Sequence, residues 1–244
     1  MHPAVVERWA RGSSPLHQRD PRAKIIALLV FLIALATAGP GLPVFAGGLL
    51  VLLIAGLVCA GVPVWGVLVR AGIVLPFAAV LAGVTWLAGD PTRGAVVALK
   101  SYLSALAVLL VISTTGLPAL LRGLEAMGAP RFLLQVAQFL YRYFFVIAEE
   151  ARQMSRAAAA RGASARHQKF GGQSFRAAAG ALAVLFASSY ARAEDIHRAM
   201  LARGFEGRFP LLGEMRFGRA DLLFTILASL APVALRFAVE RTFA

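Results

Sequence analysis

The chain has 244 residues, 59% of them hydrophobic and 15% charged, with a mean hydropathy of +0.73, which excludes an ordinary soluble domain and indicates an integral membrane protein. A single cysteine, Cys59, excludes an internal disulfide. The net charge of +13 comes with no recognisable nucleic-acid module, so it reads as membrane topology and not as a nucleic-acid surface.

Residues 1–24 carry Arg8, Arg11, Arg19, Arg22 and Lys24 against Glu7 and Asp20. They do not read as a cleavable signal peptide, because the apolar run starts late and no small-residue cleavage site precedes the further spans. Asp20 is placed to cap a helix, and Pro21 suits its first position. The apolar run 25–38 is short for a span and needs Ala23 and Lys24 at headgroup depth. The uncharged turn Gly39-Pro40-Gly41-Leu42-Pro43 leads to a second span at 44–60, where Cys59 reads as a small buried apolar residue, and Gly61-Val62-Pro63 ends it. A third span covers 65–87, with Trp65 and Trp86 at interfacial depth, a kink at Pro76, and Arg70 snorkelling outward. Gly89-Asp90-Pro91 turns the chain into a fourth span at 95–115, with Lys100 near one end. The hydroxyls of Ser101, Ser104, Ser113, Thr114 and Thr115 read as helix-packing groups.

Residues 116–219 change character, with 15 Arg and Lys against 7 Asp and Glu. By the positive-inside rule this stretch is cytoplasmic. Residues 220–239 form a fifth span, kinked at Pro232. With the N-terminus inside, only Arg93, Arg236 and Arg241 fall outside, an asymmetry that supports the topology. The expected fold is therefore all-α, with about five transmembrane helices plus long cytoplasmic helices. Its segments are 1–115, 116–219 and 220–244.

The cytoplasmic segment reads as three helices. A short one at 117–127 ends in Gly128-Ala129-Pro130, and a long one runs over 130–161, about 48 Å at the α-helical rise. The apolar first half of the long helix is interrupted at helical spacing by Gln135, Gln138 and Arg142. That stripe makes it an interfacial or helix-packed face, with a sixth span as the alternative. Glu149 and Glu150 point in different directions and are expected to bond nearby arginines such as Arg152. Gly171-Gly172 reads as a hinge before the third helix at 174–203, in which Glu194 and Asp195 precede Arg198 by four and three residues.

Both long helices end alike, in Ala160-Arg161-Gly162 and Ala202-Arg203-Gly204. Glycine adopts the left-handed C′ conformation without a Cβ penalty, and a cation in the last turn suits the negative end of the helix dipole. Each guanidinium either caps its helix or docks bidentately on carboxylates of a partner, with Met200, Leu201 and Phe205 offering apolar contact beside the second.

No catalytic constellation is visible. A phosphate-binding loop is excluded because none of Lys24, Lys100 and Lys169 follows a glycine. His2, His17, His167 and His197 have no metal-ligand spacing, and Pro3 weakens any Met1-His2 chelate, so no metal or cofactor is expected on this chain. Carboxylates are nearly absent from the spans, which argues against a stand-alone secondary carrier, the alternative reading.

The twin Ala-Arg-Gly endings resemble the T component, the transmembrane coupling subunit, of energy-coupling factor (ECF) transporters. Asp20-Pro21-Arg22-Ala23-Lys24, Thr114-Thr115, the stretch from Leu120 to Pro130, Tyr141 to Glu150 and Ser188 to Glu194 are similar to its CbiQ subgroup in cobalt and nickel transporters. The resemblance implies a non-enzymatic subunit of an inner-membrane importer for cobalt. In it, Arg161 and Arg203 would each engage one of two ATPase subunits (CbiO-like), and the cytoplasmic helices would move a substrate-binding membrane subunit (CbiM-like, with a CbiN-like chain). The ion would bind that partner, and ATP would be hydrolysed by the ATPases.

Overall fold

The computed structural model describes residues 9–10, 12–38, 42–87, 89, 91–161, 172–207 and 217–243. Met1-His2, the Gly39-Pro40-Gly41 part of the first turn, Asp90, Gly162, His167, Lys169 and Gly171 lie outside the described residues. Every element among the described residues is helical, as the sequence implies.

Helix α1 (Pro21–Ala36) begins where the sequence places it, with Pro21 in the first turn and the Arg22 N–H donating to Asp20 Oδ1 at 2.8 Å. Helix α2 (Leu42–Ala60) ends at Gly61 with φ +66°, its Val62 N–H returning to the Leu57 carbonyl at 3.2 Å. The third span is two helices, α3 (Val64–Ala71) and α4 (Leu75–Leu87), joined by the 3₁₀ turn Gly72–Val74. The expected kink thus falls just before Pro76, whose ring clashes with the carbonyl four residues back and whose missing N–H breaks the ladder. Helices α5 (Pro91–Thr114), α6 (Leu117–Ala126), α7 (Arg131–Ala160), α8 (Gly172–Ala202) and α9 (Arg219–Phe243) follow. Gly172, expected in a hinge, is the first residue of α8.

The chain forms two compact units, Met1–Pro130 with Met215–Ala244, and Arg131–Glu214. In the first, α1 packs against α9, α5 and α6, while α5 also packs against α2, α3 and α4. Leu35, Phe45, Leu49, Leu57, Val67 and Leu106 make its core. Among the described residues four stretches, Leu42–Ala60, Val64–Leu87, Thr92–Thr114 and Arg219–Arg241, are long and apolar enough to cross a membrane. Helix α1 has 16 residues and falls short of that length, yet it is tied to α9 beside both of its ends. At its start Asp20 N–H donates to Asp221 of α9, and at its end the Arg236 guanidinium of α9 donates to Thr37 Oγ1. Lys100 of α5 donates to the Ala36 and Ala38 carbonyls, 3.0 Å each, which closes the free end of α1.

Two sequence readings change. Cys59 is exposed, because Leu49, Leu53, Leu57 and Ala60 share the buried face of α2 at helical spacing and position 59 lies off it. Lys24, expected among headgroups, is buried in the unit at 2% exposure.

Gly94 marks the tightest approach in the α4–α5 hairpin, since a Cβ there would lie 2.8 Å from Thr85 Oγ1 and 2.9 Å from the Ala82 carbonyl oxygen. Gly83 on α4 has nothing within 4 Å of its Cβ position. Gly94→Leu should therefore destabilise the unit by about 1–3 kcal/mol, read as a lowered thermal midpoint in detergent, while Gly83→Leu should not.

Candidate functional site

The second unit is the pair α7 and α8. Both are rich in Ala, with Leu and Arg, which lose little side-chain freedom in a helix, and α7 concentrates its apolar residues on one face. Phe139 stacks on Tyr143 with ring centroids 6.2 Å apart, and Tyr141 meets Phe145 edge-on at 5.2 Å, each one helical turn apart on α7. Val136, Phe139, Leu140, Tyr143, Ile196 and Met200 line an open apolar groove of about 420 Å³ between the two helices.

The polar half of the pair is braced by Glu150. Its Oε1 accepts from Ser188 Oγ at 2.5 Å, and its Oε2 lies 2.9 Å from Arg192 Nη2. The carboxyl is held below the usual carboxylate range, first by the Ser188 hydroxyl and then by the Arg192 charge, against partial desolvation. Glu149 instead bonds along its own helix, to Arg156 at 2.8 Å and Arg152 at 3.6 Å, and its carboxyl is lowered chiefly by Arg156. The sequence foresaw arginine partners for both carboxylates. It did not foresee that Glu150 reaches across to α8, because that contact joins residues 38 apart in the chain. Such exposed pairs along one helix contribute little, so the cross-helix contact is the one that sets the pairing. Arg198 pairs with Glu194 at 3.3 Å, as expected from their spacing.

These contacts make the pair antiparallel. Glu150 meets Ser188, and toward the start of α7 Gln135 Nε2 donates to the Gly207 carbonyl just past α8. The two Ala-Arg endings therefore lie at opposite ends of the pair, on the order of 40 Å apart at the helical rise per residue. Ala160, Arg161, Ala202, Arg203 and Leu201 are exposed, and Met200 and Phe205 are half-buried. The second ending is a complete left-handed cap. Gly204 has φ +75°, its N–H donates to the Leu201 carbonyl at 2.9 Å, and the Phe205 N–H donates to the Met200 carbonyl at 3.1 Å. Arg203 is thus held at the helix end by backbone geometry. At the first ending the Arg161 N–H returns to the Ala157 and Ala158 carbonyls, at 3.2 and 3.1 Å.

A second constellation lies in the first unit. Lys24 Nζ donates to the Thr114 carbonyl at 2.9 Å and to Thr115 Oγ1 at 2.8 Å, and faces the His17 carbonyl at 3.5 Å. Asp20 N–H donates to Asp221 Oδ1 at 3.1 Å, and Arg19 lies 4.0 Å from the same oxygen. Asp20, Lys24, Ser113, Thr114 and Thr115 are all buried. Thr115 accepts a charged hydrogen bond, which is more than the packing role read from sequence. Sequence reasoning passed over Asp221, whose one signal was an acid in the first turn of an apolar helix.

Residues 12–211 match the family described as CbiQ, cobalt transport protein. The energy-coupling factor transporter transmembrane protein EcfT of Acidaminococcus fermentans is 30% identical over 243 residues, covering 87% of this chain and 88% of that protein. The cobalt transport protein CbiQ of Rhodobacter capsulatus is 27% identical over 122 residues, 50% of this chain and 48% of its own. These likenesses agree with the all-helical, multi-pass architecture, and the chain belongs to the CbiQ family, the T components of energy-coupling factor transporters.

Proposed function

We propose that this chain is the T component of an ATP-driven cobalt importer, carrying motion from two ATPase subunits to a substrate-binding membrane subunit. The observation that carries this reading is the antiparallel α7–α8 pair with an exposed arginine at each far end. Two guanidinium groups so far apart suit two separate acidic grooves better than one, and a forked guanidinium matches a carboxylate bidentately. Ala160-Arg161-Gly162 and Ala202-Arg203-Gly204 are the docking endings, with Met200, Leu201 and Phe205 as apolar contacts beside the second. The cobalt assignment rests on the family and on the CbiQ relative.

In this mechanism the ATPases (CbiO-like) hydrolyse ATP, and their closure changes the distance between the two docking grooves. The rigid pair converts that change into a tilt. The apolar groove and exposed apolar face of α7 then push on the membrane partner (CbiM-like, with a CbiN-like chain), which holds the ion. This chain holds no metal or cofactor of its own. It sits in the cell inner membrane with α7 and α8 on the cytoplasmic side, and α1 makes a fifth traverse beside the four longer spans. Scarce carboxylates in the spans disfavour a stand-alone secondary carrier.

Three outcomes test the reading. Arg161→Glu with Arg203→Glu should abolish co-purification with the ATPase subunits while leaving membrane insertion intact, and normal cobalt uptake by that double variant would sink the proposal. Gly204→Val places a β-branched residue at φ +75°, a strain of about 1–2 kcal/mol, and should weaken ATPase binding although Arg203 remains. The Glu150 brace acts through a carboxyl lowered from its ordinary value near 4.5, so its stability is present at neutral pH and is lost as pH falls from that value through the lowered one. Spin labels on α7 and α8 should accordingly separate in acid, and Ser188→Ala should move the onset to higher pH.

A further inference from the structure

The chain passes between the two units twice, after residues 115–130 of the first unit on the way out and ahead of α9 on the return. Within the first unit, both crossings are fastened to one turn of α1. On the outgoing side Lys24 holds Thr114 and Thr115, the end of α5, at 2.9 and 2.8 Å. Gly123 of α6, eight residues before α7 begins, lies so close that a Cβ would meet Pro21 Cβ at 3.0 Å and the Arg22 backbone nitrogen at 3.5 Å. On the returning side Asp221, in the first turn of α9, accepts from the Asp20 N–H at 3.1 Å.

We infer that the turn Asp20-Pro21-Arg22-Ala23-Lys24 is the joint through which displacement of the α7–α8 pair reaches the membrane helices, with Lys24 as its positioning residue. The inference rests on the coupling reading above. Lys24 is 2% exposed, and its two short hydrogen bonds end on backbone and hydroxyl oxygens of another helix. Hydrogen bonds of this kind weaken steeply with distance and angle, and a buried ammonium without acceptors is costly. The end of α5 therefore cannot slide past α1 without stranding the charge. Asp20 ties α9 to the same turn, and α6 is seated on it through Gly123. A pull on either crossing thus moves α1, α5 and α9 as one body at this end, where three loosely packed helices would absorb it.

The test uses the full complex with its ATPase and substrate-binding subunits in lipid vesicles, and reads assembly, ATP hydrolysis and cobalt transport together. Lys24→Met should still assemble and hydrolyse ATP, and transport per ATP should fall about tenfold. Thr115→Val removes one acceptor and keeps the charge, so it should give a smaller fall. Gly123→Leu, which wedges α6 off the turn, should also lower the ratio. An unchanged ratio in assembled complexes of these variants overturns the inference. So does a loss of transport that only matches a loss of assembled complex, because that is what a merely structural lysine gives. Should Lys24→Met not assemble, the Thr115→Val and Gly123→Leu ratios decide alone. Failure of the coupling reading shows differently, as ATPase association and uptake that survive reversal of both Arg161 and Arg203.

Discussion

A single buried ammonium organises one end of the first unit. Lys24 lies among the ends of α1 and α5, with the Asp20 and Asp221 carboxylates near enough to act on its charge. A buried cation tolerates little rearrangement. Leaving such a group without its acceptors is strongly destabilising, because a buried charge then goes unpaired. Lys24 is held by oxygens of Thr114 and Thr115 at the end of α5, and the Asp20 N–H by Asp221 of α9, so these contacts specify which helices meet as well as that they meet. The other end of α1 is tied in the same manner, by Lys100 on its last carbonyls and by Arg236 on Thr37.

Between these polar ends the bundle depends on close packing. In a bilayer there is no hydrophobic gain from bringing two apolar helices together, so small residues that let backbones approach become decisive. Gly48 lies against Leu235, Gly56 against Leu110 and Gly94 against Ala82. These contacts join α2 to α9, α2 to α5 and α4 to α5. Polar ends fix the order of the helices, and small residues along their length fix how closely they lie.

The α7–α8 unit follows a different rule. Few contacts join its helices, and large side chains such as Phe132, Leu140 and Phe186 are more than 70% exposed. An apolar surface of that kind marks a face built for contact with a partner or with lipid. The Glu150–Ser188–Arg192 brace keeps the two helices aligned while leaving their outer faces available. Such an element is stiff along its length and sparsely held across it, which suits a lever between partners.

Much of this was legible in the chain. Asp20 and Pro21 start α1, glycines at 61, 128 and 204 stop their helices with positive φ, and Pro76 breaks the third span. These are local rules, decided by the backbone and side chain of a few neighbouring residues. Helix boundaries, span order and the two Ala-Arg endings were therefore open to sequence reading. What only the tertiary structure decided is where each helix face turns and which distant groups meet. Cys59 is apolar enough to be buried, yet it lies off the face that Leu53 and Leu57 share. Asp221 and Thr115 look like ordinary helix-end residues until α9 and α5 arrive beside α1. Glu150 could have bonded along its own helix as Glu149 does, and only the antiparallel docking of α8 offers it Ser188. The sequence determined the helices, because each is specified by interactions within a few residues. The joint and the brace were decided by packing, because their partners are 38 to 201 residues apart and no local pattern records which of them will meet.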